Sequence, residues 1–141
     1  MKIRNNTFAA LLALTALSTP ALAETQLENA LANGAHRLTA EEVSIRLADK
    51  TVTFENANTG AKALVYYDGS NSTKLKLEDG TMLDGFYAFD LADHVCVGVY
   101  GNEPMRLRCV HVVLIDGVMH KFELDGSLRG RIIEEVSGNV I

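Results

Sequence analysis

A chain of 141 residues with a formal charge of −5 and 48% hydrophobic residues has the size and apolar content of one folded domain, which excludes a disordered tail. Setting aside Lys2 and Arg4 of the N-terminal segment takes −5 to −7, and that balance argues against nucleic acid or an anionic lipid surface as the main partner.

Residues 1–23 read as a cleaved secretory signal. Lys2 and Arg4 form a positive start, Phe8 to Leu17 an apolar run, and Ala21-Leu22-Ala23 a small-residue cleavage site before Glu24. The apolar run is too short to span a bilayer comfortably, and no cysteine follows the cleavage site to carry a lipid. The expected mature chain of 118 residues, 141 less 23, is periplasmic or secreted and has no stable membrane insertion. Its oxidising compartment allows a disulfide to persist.

Residues 24–50 form an N-terminal helical segment. Leu27, Ala30 and Leu31 have helical spacing and Gly34 can end the turn, but the run is short, so the expectation is a frayed helix or partial disorder. Thr39-Ala40-Glu41-Glu42 has the pattern of a capping box, with Leu38 and Val43 placed for a hydrophobic staple. Val43 and Leu47 share a helical face. With Leu38 they make either a plug for an open barrel end, a cover for a valine-rich sheet face, or a contact with the sheet edge.

Residues 51–141 switch to period two. Val52 and Phe54 alternate with polar neighbours, Ala63 to Tyr67 is a β-prone run, and residues 73–78 alternate again. Further strands are expected at about 82–90, 94–100, 105–115, 118–124 and 128–136, separated by turn formers. Asp-Gly at 68, 79, 84, 116 and 125 reads as hairpin punctuation. The predicted fold is mainly β: an antiparallel up-and-down meander of about eight strands, a small barrel or strongly curved sheet, with one or two short N-terminal helices. Closure has the advantage of leaving no exposed edge.

The two central hairpins can be registered by symmetry. Residues 94–100 and 105–111 flank Gly101-Asn102-Glu103-Pro104, so folding about that loop pairs Cys96 with Cys109 and His94 with His111. Opposed Cα atoms about 4.5–5.5 Å apart lie within disulfide reach. Asp116-Gly117 then predicts a two-residue hairpin that sets Ile115 against Val118, Val113 against His120 and His111 against Phe122. Taking the cysteine face as the core buries Tyr100, Met105, Leu107, Val113, Ile115, Val118, Phe122 and Leu124. The opposite face carries Arg106, Arg108, Lys121 and Glu123 with Val95, Val97, Val99, Val110, Val112, Leu114 and Met119.

Two candidate sites follow. His94, His111 and His120 share the cysteine face, with Cβ atoms within about 7–8 Å on the diagonal; three imidazoles, completed by Asp93 or water, suit zinc or copper. Ordinary strand histidines near a barrel mouth are the plainer reading. The second candidate is a binding surface of Val95, Val97 and Val99 bordered by Arg106 and Arg108, which would pair with an acidic partner or ligand. Asp68 to Ser72 alternates oxygen ligands but lacks the glycine of an EF-hand loop, and reads as a turn. No nucleophile elbow, His-Glu-x-x-His or phosphate-cradling loop is present, so neither an enzyme nor a cofactor is expected.

Leu38-Thr39-Ala40-Glu41-Glu42, Tyr66-Tyr67-Asp68-Gly69, Asp84-Gly85-Phe86-Tyr87, Val95-Cys96-Val97 and Arg108-Cys109 together resemble a family of short secreted alphaproteobacterial proteins of unknown function. In that family a capped helix precedes a small cysteine-bridged β-domain. Where it usually shows a tryptophan before the first cysteine, this chain has Phe86 and Tyr87. The resemblance implies a periplasmic location and a shared scaffold, and no activity. In architecture alone the chain is also similar to periplasmic β-barrel inhibitors of proteases and lysozymes. The functional expectation is a non-enzymatic periplasmic β-domain that binds a protein or small ligand, with an envelope-protecting inhibitor as the protein-binding version; the alternative is a metal-binding protein using the histidine cluster.

Overall fold

The structure, a computed structural model, describes residues 23–101, 105 and 107–141. The signal reading, apart from Ala23, therefore lies outside the described residues, as do Asn102 to Pro104 and Arg106. Among the described residues no helix is long and apolar enough to cross a membrane.

The first helix, α1 (Gln26–Ala32), is better formed than its length suggested. Thr25 and Glu28 make a capping box: Thr25 Oγ1 accepts from the Glu28 N–H, and the Glu28 carboxylate accepts from the Thr25 N–H at 2.8 Å. That Thr-x-x-Glu pattern was present in the sequence and is the signal that α1 needed. A two-residue strand, β1 (His36–Arg37), follows, and then α2 (Ala40–Leu47), capped by Thr39 and Glu42 as expected. The Thr39 backbone N–H and the His36 ring hold the Glu42 carboxyl down at about 2.

Eight strands then run up and down: β2 (Lys50–Asn56), β3 (Lys62–Tyr67), β4 (Ser72–Leu77), β5 (Met82–Phe89), β6 (Val95–Val99), β7 (Leu107–Ile115), β8 (Val118–Phe122) and β9 (Leu128–Ser137). Each pairs antiparallel with the next, and β9 returns to pair with β2, from Thr51 against Val136 to Asn56 against Gly130. The meander is thus a closed barrel, and β1 adds a ninth strand beside β7. Closure leaves no free ladder on the eight strands.

The turns show how local chemistry sets this order. Asp116 (φ 49°) and Gly117 (φ 82°) both have positive φ, as a type I′ hairpin requires. Asp79-Gly80 and Asp125-Gly126 also turn the chain, but Asp84-Gly85 lies inside β5 and punctuates nothing. At Asp68 the carboxylate accepts from the Ser70 and Ser72 N–H groups, so that segment is a side-chain-stabilised turn.

The central registers match expectation, with Cys96 opposite Cys109, Val113 opposite His120 and His111 opposite Phe122. The assignment of faces is inverted. The cysteine face points outward, and Tyr100, Met105, Leu107, Val118 and Leu124 on it are exposed. The valine face points into the barrel, where Val95, Val110, Val112 and Met119 are at most 4% exposed and pack with Val52, Val65, Tyr67, Tyr87 and Ile132. Curvature is the reason: alternation separates two faces, and only closure makes one of them concave. Val113 and Phe122 remain buried on the outer side. There α1 begins against the Gly126 turn, where the Leu27 N–H donates to the Gly126 carbonyl, and leads to β1 beside Val113.

Leu38, Val43 and Leu47 belong to the interior cluster, so α2 fills one end of the barrel. Ala48 and Asp49 then pass directly into β2. The start of α2 is held by Asp93, whose carboxylate accepts from the Ala40 N–H at 2.9 Å. Of the two halves separated in the sequence reading, the first supplies a strand and a plug to the second.

Candidate functional site

With one end plugged, the other end holds a cavity of about 600 Å³. Its wall is mainly apolar: Phe54, Val65, Leu75, Val97, Val99 and Val110 all face it. Its rim is charged, with Lys62, Glu78, Asp79, Arg108 and Arg129. Gly130 makes room for the Phe54 ring, since a Cβ there would sit 2.6 Å from that ring and closer still to the Glu55 carbonyl oxygen.

Lys121 is the one side chain of this wall that chemistry would not place there. It is 7% exposed, and its Nζ donates to Tyr67 Oη at 3.0 Å. The same ammonium lies 5.3 Å from the Phe54 ring centroid and 5.6 Å from that of Tyr67, within cation–π range. β8 and β3 are separated by β9 and β2 in the closed order, so this bridge spans the lumen and, with Tyr67 packed edge-on against Tyr87, floors the cavity above the plugged core. In the sequence, Lys121 falls on the valine face with Glu123 and several apolar residues, and nothing marks it as buried. Only its place on the valine face, once that face is the interior, could have revealed it.

Arg108 and Arg129 share one carboxylate at the rim. Arg129 Nη1 is 2.9 Å and Arg108 Nη1 3.8 Å from Glu123 Oε1. Among the predicted binding-surface residues, Val97, Val99 and Arg108 therefore line the cavity, Val95 is buried beneath it, and Arg106 lies outside the described residues. They form an inner wall rather than an outer docking patch.

The histidines lie on the outer side of the same hairpins. His94 and His111 are brought together, their ring centroids 4.4 Å apart, as the register predicts. The three imidazoles do not converge: among the described residues the only three-group cluster with all ligand atoms within 4.8 Å is Asp90, Cys96 and Cys109, and the Cys96–Cys109 disulfide takes both sulfurs. His120 Nδ1 instead contacts the Val118 carbonyl of its own strand at 3.0 Å. Asp93, expected to complete a metal shell, caps α2, and it is Asp90 that meets His94, with 2.7 Å between Oδ2 and Nδ1.

Burial pushes the His111 imidazole below its ordinary value of 6.5, and the neighbouring Arg37 and His94 act in the same direction, against smaller opposing pulls from Asp90 and from a hydrogen bond with the Leu124 backbone. Its Nδ1 is buried without a partner. The unfolded chain therefore takes up a proton more readily than the folded one. The resulting stability is present above about pH 6.5 and is lost as pH falls through the lower folded value. His111→Phe is expected to flatten the denaturation midpoint between about pH 7 and about pH 5, while the parent protein weakens over that range; equal slopes would show that His111 is not the titrating group.

Fold and site together define a small closed β-barrel, plugged at one end by its own N-terminal segment and open at the other into an apolar lumen with a buried cation. No family model, curated protein or solved structure matches the chain.

Proposed function

We propose that this protein is a non-enzymatic periplasmic or secreted binding domain that takes a small, largely apolar ligand into its barrel. The supporting observation is the cavity itself. Its volume of about 600 Å³ falls within the roughly 300–1,000 Å³ of small-molecule sites, and a mainly apolar wall with a few placed polar groups is their usual chemistry. The protein-binding version, including an envelope-protecting inhibitor, is weaker because its valine surface is turned inward. The metal-binding version is weaker because the imidazoles do not meet.

Filling the lumen tests this reading. The chain contains no tryptophan, so Val97→Trp also installs a unique fluorophore in the wall. The variant is expected to keep the parent's circular dichroism, to show blue-shifted tryptophan emission, and to lose binding of the neutral apolar probe N-phenylnaphthylamine. If the folded variant binds the probe as tightly as the parent, the lumen is not the site.

A further inference from the structure

We infer that the lumen selects an amphiphile with a single anionic head, such as a carboxylate, seated on Lys121 with its apolar body along Leu75, Val97 and Val99. This deepens the proposed function and rests on the lumen being the site. The argument begins with what Lys121 lacks. An ammonium has three donors, and here one meets a neutral phenol while two ring faces supply only cation–π contact. None of the ion pairs among the described residues includes it. Removing a charge from water is unfavourable unless a counter-ion and hydrogen bonds restore what hydration supplied.

Neither of the rim acids, Glu78 and Asp79, pairs with Lys121. Glu123 is shared by Arg129 and Arg108. At the rim, Asp79 accepts from the Thr81 N–H at 2.9 Å. A ligand oxygen would therefore supply what the protein withholds, in an apolar setting where a charge-assisted hydrogen bond is strengthened. The Tyr67 hydroxyl, already beside Nζ, can donate to the same head group. Four cations, Lys62, Arg108, Lys121 and Arg129, line the cavity against two acids, Glu78 and Asp79. An anion thus meets a locally positive entrance on an acidic protein. A multiply charged head group fits poorly, because the floor offers one ammonium surrounded by apolar wall.

The test compares three probes of equal chain length, dodecanoate, dodecanol and dodecylamine, by isothermal titration calorimetry below their aggregation concentrations. Dodecanoate is expected to bind one to one and at least roughly tenfold more tightly than dodecanol, with dodecylamine weakest. Lys121→Met, checked for folding by circular dichroism, is expected to abolish the preference for the acid while leaving or strengthening the alcohol. Equal binding of acid and alcohol by the parent protein would overturn the head-group assignment and leave the lumen reading standing. So would an acid preference that survives in Lys121→Met. If none of the probes binds and N-phenylnaphthylamine also fails, the lumen reading falls and this inference with it. The parent protein's own three titrations decide the matter even if the variant does not fold.

Discussion

Leu47→Ala is expected to lower the free energy of unfolding by roughly 2–5 kcal/mol, a large part of the about 5–15 kcal/mol that a domain has in total. Leu47 is 1% exposed, and with Leu38 and Val43 it joins the packed cluster at the closed end of the barrel. Truncation removes apolar area from that cluster and leaves a void between α2 and the sheet, which rigid strands cannot collapse to fill. Ile45 is the control: it lies on the same helix but is 72% exposed, and Ile45→Ala should change stability by no more than about 0.5 kcal/mol. Guanidinium titrations of the two variants make the comparison. Indistinguishable midpoints would mean that α2 folds apart from the barrel and plugs nothing.

Replacing both bridged cysteines with alanine is expected to cost about 3 kcal/mol, the chain-entropy value for a loop of this size. The bond joins Cys96 to Cys109 across 13 residues with Cα atoms 3.9 Å apart, and so ties β6 to β7 around a loop that includes Gly101. Because both sulfurs lie on the outer side of the wall, the double variant should keep its lumen. Below its lowered denaturation midpoint it is expected to bind N-phenylnaphthylamine as the parent does. A loss under about 1 kcal/mol would show that the ladder holds the hairpin closed in the unfolded chain as well. Loss of probe binding in the folded variant would mean that the bond shapes the cavity.

Much of the barrel could be read from short stretches. The Gly101 loop and Asp116-Gly117 were enough to align three strands, because turn geometry and pairwise hydrogen bonding act over a few residues. The pairing of His94 with His111 came from the same alignment. His120 did not follow, because a diagonal neighbour's position depends on strand twist and on where its ring turns. The candidate site was half visible: Val97, Val99 and Arg108 were singled out, but as an outer patch. Both faces of the central hairpins are apolar, one lining the lumen and the other lying partly under the N-terminal segment, so hydrophobicity could not rank them. Cysteine, a frequent core residue, tipped the choice the wrong way.

The amino-acid order alone thus determined the eight barrel strands, the registers of the two central hairpins, four of the five Asp-Gly turns, the cap of α2 and the disulfide partners, all set by interactions between near neighbours in the chain. Which side is inside was decided by closure, when Thr51 to Asn56 pair with Gly130 to Val136 at the far end of the β-domain. That contact gives the sheet its concave side, and with it the lumen and the burial of Lys121. Alternation along a strand is symmetrical between its two faces, and only the curvature imposed by distant strands breaks that symmetry.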